Sequence, residues 1–255
     1  MPRKPRCDSP IRVLNIGQKG HNGQVIFYEP EDYSYYLQCL RKACKENDMV
    51  LLAYALMTNH IHAIFYGEIA KCANIFQSVG ASYVKWFNQK YARSGTLWNS
   101  RYYSKPIMDE QQMLQTVAYI FNNPVKAGMV KEPERYRWSS LKALDSREFD
   151  AEACQILDQY LGIDNIIKYT KKVAHEPMDS SVKKVCEVIP KKKLSDLQAI
   201  DIVKKMVKKK NLGRVPSLSK KILRRLVKKL LKMGSSISQI SRITGMNRRL
   251  VVSLI

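Results

Sequence analysis

From Met49 to Tyr66 the chain reads MVLLAYALMTNHIHAIFY, a stretch without a single Asp, Glu, Lys or Arg. Its aliphatic and aromatic character suits buried strands, and the polar Thr58-Asn59 pair in the middle marks a place to turn back. Two strands joined by so short a turn must run antiparallel, since a parallel pair needs a long crossover. The segment therefore predicts a β-hairpin at the centre of a largely antiparallel sheet. In its second strand His60 and His62 are separated by one apolar residue, and residues two apart on a strand share a face. Two imidazoles can then converge on one ion. By itself the pattern is weak, because a strand with two polar rings on its second face arises readily by chance.

The flanking segments alternate in kind. Ile11–Ile16 and Gln24–Tyr28 read as short extended pieces around the turn-rich 17–23. Glu29–Asn47 reads as a helix: Pro30, Glu31 and Asp32 suit an N-terminus, and Tyr36, Leu37, Leu40 and Ala43 form its stripe. Ala73–Ala92 predicts a second helix closed by Ser94-Gly95, with Ile75, Phe76, Val79, Tyr83, Trp86 and Phe87 on its apolar side. Leu97–Ile107 returns as an extended segment, and Asp109–Asn122 predicts a third helix ended by Pro124. The fold class expected is α+β, an antiparallel sheet flanked by helices.

Forty-four Lys and Arg face 22 Asp and Glu, a formal net charge of +22. A surplus of this size repels itself in the compact state and makes most sense opposite a polyanion, of which nucleic acid is the commonest. No apolar stretch approaches the roughly 20 residues of a spanning helix, so no membrane partner is expected. The basic start MPRKPRCDSP lacks the apolar segment of a signal peptide, and the expected location is cytoplasmic. Cys7, Cys39, Cys44, Cys72, Cys154 and Cys186 are scattered without metal-site spacing, and read as free thiols; Cys39, Cys44 and Cys72 lie among apolar residues as core positions.

Past Trp138 the character shifts. Residues 140–164 look helical, whereas 165–200 carry Lys clusters, Pro177 and Pro190, as a linker would. Residues 201–255 hold sixteen Lys and Arg against one acid, yet Ile222, Leu223, Leu226, Val227, Leu230 and Leu231 recur at helical spacing. Then come Ile237, Ile240 and Ile243, a turn at Gly245, and an N-cap at Asn247: a helix-turn-helix pattern whose second helix opens with Arg248 and Arg249, candidates for DNA contact. The organisation expected is a domain over 1–140, a helical extension and basic linker over 141–200, and a small all-α, basic domain over 201–255.

Downstream of the histidines, GTLWNSRYYS at 95–104, AYIFNNPVKAGMV at 118–130 and YRWSS at 136–140 complete an ordered series. In order and spacing these segments resemble the HUH-type single-tyrosine transposases, specifically the REP-associated tyrosine transposase branch, over about residues 1–140. The first strand departs from the family pattern His-Val-x-x-Arg-Gly, with Asn15, Ile16 and Lys19-Gly20 in those places. The resemblance implies a ferredoxin-like HUH nuclease fold, a metal-binding pair at His60 and His62, and a nucleophile at Tyr119. It also matches Asn123 to the Asn of the Tyr-Ile-x-x-Asn-Pro motif; four residues after Tyr119, it shares that helix face and could ligate the metal or orient the scissile phosphate.

The chemistry of the residues agrees with that assignment. A phosphodiester under attack needs a cation on a non-bridging oxygen. Two neutral imidazoles plus an amide oxygen leave positions open and suit Mg²⁺ or Mn²⁺ better than a closed zinc site. A phenol, which ordinarily ionises at a pH of about 10, needs a neighbouring cation or base before it attacks. The expected reaction is metal-dependent cleavage and rejoining of single-stranded or hairpin DNA through a covalent 5′-phosphotyrosine. Arg101, Lys105 and Lys126 are candidates for phosphate contacts, and Trp86, Trp98 and Tyr103 for base stacking as well as for core packing. The C-terminal segment is expected to add duplex binding, and paired cleavages in the family make a homodimer an expectation. The rival reading is a DNA-binding regulator that uses the helix-turn-helix and has no nuclease activity.

Overall fold

The structure, a computed structural model, describes residues 6–174, 196–207 and 212–255. Strands β1 (Val13–Lys19), β2 (Val50–Met57), β3 (His60–Tyr66) and β4 (Tyr103–Pro106) form one antiparallel sheet in the order β2-β3-β1-β4. The uncharged segment is indeed a hairpin turning at Thr58-Asn59. Period-two alternation sends Leu14, Ile16, Ile61, Ala63 and Phe65 to one face, where α1 (Pro30–Glu46) and α2 (Ile69–Tyr91) bury them. Val13, Ile64 and Ala55 go to the other, under α3 (Glu110–Lys126) and the short helices α4 (Leu141–Asp145), α5 (Ala151–Tyr160) and α6 (Ile163–Lys172). Among the described residues no helix is long and apolar enough to cross a membrane.

Several local expectations are corrected. Gln24–Tyr28 is not a strand: Ile26 and Phe27 both donate their N–H to the single carbonyl of Thr58, at 2.8 and 3.2 Å, so no ladder forms although Val25, Ile26 and Phe27 are fully buried. Apolar character there signals burial, not pairing. Helix α2 begins at Ile69 and ends on Ala92, whose left-handed φ of 50° does what Gly95 was expected to do. Only Tyr103–Pro106 of the 97–107 segment pairs as a strand. Helix α3 runs through Pro124 to Lys126. Asn122 and Asn123 donate their side-chain amides to the carbonyls of Ala118 and Tyr119, at 3.0 and 3.2 Å, satisfying acceptors beside the position where proline lacks a donor. The first part of the expected linker, through Lys172, is helix α6, because Ile166 and Thr170 bury against the α3 side. The later linker residues 175–195, with Pro177, Pro190 and Cys186, lie outside the described residues. Cys44 and Cys72 are buried as expected, and Cys39 is half-buried.

The outer edge of β2 is covered by the YRWSS segment. Leu56 donates its N–H to Trp138 O at 2.9 Å, Ser140 donates its N–H to Tyr54 O at 3.1 Å, and the Tyr136 hydroxyl donates to Leu56 O at 2.6 Å. An edge so occupied offers no template for pairing with another chain.

The basic C-terminal part folds as four helices, α7 (Asp196–Met206), α8 (Lys220–Lys232), α9 (Ile237–Thr244) and α10 (Arg248–Ser253). The turn between α9 and α10 is Gly245 at φ 72°, and the Asn247 side chain accepts from Leu250 N at 2.7 Å. These helices are held together at Asp196, which accepts from Arg242 Nε at 3.1 Å, from Arg242 Nη2 and from Gln239 Nε2 at 2.9 Å, and they dock on the sheet domain where Asp196 accepts from the Thr58 hydroxyl at 3.3 Å and Lys204 Nζ donates to Tyr28 O at 3.2 Å.

Where α1 meets α2, the buried Asp32 carboxylate accepts from Tyr28 N (2.6 Å), Glu29 N (2.9 Å), Tyr91 OH (2.8 Å) and Lys90 Nζ (2.8 Å). Removing it strands two backbone N–H groups and the Tyr91 hydroxyl in a dry place, while Lys90 keeps Glu31 at 2.6 Å. Asp32→Ala is expected to destabilise the fold by about 3 kcal/mol, read as a lowered urea midpoint with an unchanged m-value.

Candidate metal and nucleophile site

Register places the site. His60 pairs with Lys19 and Met57, and His62 with Gly17 and Ala55, so both histidines lie on the face that α3 covers. On β4, Tyr103 pairs with Gly17 and Lys105 with Asn15, which brings these two side chains to the same face. Helix α3 presents Tyr119, Asn123 and Lys126 from one side at helical spacing. The rings of His60 and His62 stand 4.9 Å apart, centroid to centroid, and the Tyr119 ring meets His62 edge-on at 6.1 Å. Lys126 Nζ lies 5.2 Å from the Tyr119 ring centre. His60, His62 and Tyr119 are all buried.

Each histidine is held by its Nδ1. The Asn59 amide donates through Nδ2 to Gly23 O at 3.2 Å, which fixes its flip and turns Oδ1 toward His60. His60 Nδ1 lies 2.8 Å from that oxygen and must therefore carry the proton it donates, leaving Nε2 with its lone pair. His62 Nδ1 lies 3.0 Å from the Tyr103 hydroxyl. His62 Nε2 is buried and has no hydrogen-bond partner among the described residues.

Burial, then repulsion from His62, Lys19 and Arg242, pushes the proton affinity of His60 well below that of an ordinary imidazole. Burial alone brings the His62 pKa down to about 4. Both rings are neutral near pH 7, the form that binds a metal. A buried imidazole nitrogen without a partner and two neutral rings fit a divalent cation. Among the described residues no group of three His, Cys, Asp or Glu gathers here or elsewhere. Asn123, one turn after Tyr119 on α3, donates Nδ2 to Tyr119 O, which leaves Oδ1 as the acceptor end of its amide.

The remaining candidates divide. Lys105 lies on the site face of β4 and Lys126 beside Tyr119, whereas Arg101 is exposed in the loop before β4, and Arg248 and Arg249 are exposed at the start of α10. Trp86 stacks on Tyr35 at 4.5 Å, and Trp98 packs edge-on against Tyr36 at 6.0 Å, within the α1–α2 layer rather than at the site. Sequence reasoning set Tyr103 aside as a packing or stacking residue and passed over Gly17. The signal that joins them to His62 is register, which no local pattern discloses.

Residues 23–123 match the family model described as "Transposase IS200 like". Among solved structures, the chain is similar to one titled "Structure of the REP associates tyrosine transposase bound to a REP hairpin", with 18% identity over 59% of this chain and 88% of that chain and a TM-score of 0.47. No curated protein matches the sequence.

Because His62 is held below its ordinary proton affinity, the unfolded chain binds the extra proton between about pH 6.5 and about pH 4. Stability is then intact above about pH 6.5 and falls as pH drops toward 4, by about 3 kcal/mol from this group in metal-free protein. Urea midpoints measured across this range should fall less steeply in His62→Gln than in the wild type.

Proposed function

With a domain of the IS200-like transposase family spanning residues 23–123, we propose that the protein is a REP-associated type of tyrosine transposase, cutting and rejoining single-stranded or hairpin DNA through Tyr119. The observation that carries this reading is the neutral His60–His62 pair facing Tyr119 across one buried layer, with Lys126 beside the phenol ring.

His60 and His62, with the amide oxygen of Asn123, are the residues that would hold Mg²⁺ or Mn²⁺. The ion, when bound, supplies Lewis-acid polarisation of a non-bridging phosphate oxygen and stabilises the departing one. The chain's own groups do the rest. Asn123 shares the helix face of Tyr119 and orients the scissile phosphate or completes the ligand set. The Tyr119 oxygen gives up its proton in a field made positive by Lys126 and forms a bond to phosphorus. The bond from phosphorus to the 3′-side oxygen breaks, and that oxygen leaves as a 3′-hydroxyl, taking a proton. The 5′-phosphate stays on Tyr119. Attack by another 3′-hydroxyl reverses the step and rejoins strands without ATP, because the phosphotyrosine conserves the bond energy.

Lys105, on the same sheet face, and Arg101, near the entrance of β4, are assigned to phosphate contacts. The exposed Arg248 and Arg249 at the start of α10 support duplex binding through a helix-turn-helix. Two copies of the chain would allow two strands to be cut in one complex. The regulator reading draws on those same two arginines.

Tyr119→Phe is expected to abolish a protease-sensitive covalent adduct with end-labelled hairpin DNA in Mn²⁺, with hairpin affinity within about twofold of wild type. An adduct that persists in this variant sinks Tyr119 as nucleophile. No adduct from the wild type on any flanking hairpin, together with duplex binding lost on reversing charge at Arg248 and Arg249, leaves the regulator reading standing. His62→Ala should bind Mn²⁺ at least tenfold more weakly, measured as the free-ion electron paramagnetic resonance signal.

A further inference from the structure

Three residues stand side by side across three strands: His62 on β3 pairs with Gly17 on β1, and Gly17 pairs with Tyr103 on β4. Neighbouring strands are about 4.8 Å apart, so side chains two strands away from each other ordinarily do not touch directly. Here they do, because the middle residue has no side chain. A Cβ on Gly17 would stand 2.2 Å from Tyr103 Cε1 and 2.6 Å from its hydroxyl oxygen. The tyrosine ring lies over the bare glycine and delivers its hydroxyl to within 3.0 Å of His62 Nδ1.

We propose that Tyr103 is a positioning residue for His62: its phenol oxygen accepts the Nδ1–H, and Nε2 is thereby left unprotonated on the buried side of the ring. A neutral imidazole carries one N–H. If that hydrogen sat on Nε2, it would be a buried donor without an acceptor among the described residues. Orphaned buried donors are rarer and costlier than under-satisfied acceptors. A hydrogen on Nδ1 instead finds the phenol oxygen and leaves Nε2 as a lone pair suited to a cation. His60 is arranged the same way, with Asn59 Oδ1 in the place of the phenol. The two rings thus carry their hydrogens on the outer nitrogens, one set by the turn amide and one by a tyrosine that reaches across the sheet. Gly17 is part of this arrangement, since any larger residue there displaces the ring.

Its consequence for metal affinity rests on the reading of His62 as a ligand, whereas the tautomer itself does not, so the two are read separately. Long-range ¹H–¹⁵N spectra of the metal-free protein at pH 7 report which imidazole nitrogen is protonated. The wild type is expected to show His62 as the Nδ1–H tautomer, and Tyr103→Phe to populate the Nε2–H form with an unfolding midpoint close to wild type. Gly17→Ala, which keeps the phenol but moves it, should shift the tautomer in the same direction. His62 found as Nε2–H in the wild type, or unchanged in Tyr103→Phe, overturns the proposal. In parallel, Mn²⁺ titrations followed by electron paramagnetic resonance are expected to show affinity at least tenfold weaker in Tyr103→Phe. Equal Mn²⁺ binding by wild type and His62→Ala would reject the metal reading while the tautomer result still decides the role of Tyr103.

Discussion

The turn Thr58-Asn59 collects hydrogen bonds from the 20–28 segment, from His60 and from the C-terminal helices. Its two carbonyls accept from Gly20, Ile26 and Phe27. The Asn59 side chain donates to Gly23 O and accepts from His60, and the Thr58 hydroxyl donates to Asp196 at the head of the C-terminal helices. The apolar strands on either side leave the turn no freedom to slip, because a shift of one residue would carry His60 and His62 to the face filled by α1 and α2. The position of the histidine pair, the path of the 20–28 segment and the docking of the last four helices all depend on this one point.

Dry packing gives the site its character. His60, His62 and Tyr119 lie between the sheet and α3, where burial disfavours charge on the imidazoles and keeps their nitrogens as neutral donors. Positive charge stands nearby, at the exposed Lys19 paired with His60 and at Lys126, whose Nζ lies 5.2 Å from the Tyr119 ring centre. Burial by itself disfavours an anion as well as a cation, so any anion held here depends on those two lysines.

The C-terminal helices are tied to one another by a nearly buried ion pair, Asp196–Arg242, whose side chains are 13% and 10% exposed, and Asp196 also accepts from the Thr58 hydroxyl of the sheet domain. Removing one member of such a pair leaves the other uncompensated. The Arg242 carbonyl also accepts from Val25 N at 3.3 Å, and its guanidinium lies close enough to His60 to lower the proton affinity of that ring. The basic surface of α8 and the arginines of α10 are therefore carried on a body fixed next to the histidine turn.

The hairpin, the alternation that puts both histidines on one face, and the four-residue spacing that puts Tyr119 and Asn123 on one helix face were legible in the sequence, because strand and helix periods are local and the apolar pattern enforces them. So were α1, α3 and the Gly245 turn. Pro124 misled as a stop, since the helix continues past the one donor it lacks while the side-chain amides of Asn122 and Asn123 bind carbonyls of the preceding turn, and Gln24–Tyr28 misled as a strand, since burial and ladder pairing share one composition. Which face of α3 meets His62, that Tyr136–Ser140 closes the β2 edge, and that Tyr103 crosses Gly17 to reach an imidazole were decided only by the tertiary structure. These depend on strand order and register between distant segments, Leu14 pairing with Pro106 for example, and no local period in a sequence encodes which distant strands lie side by side.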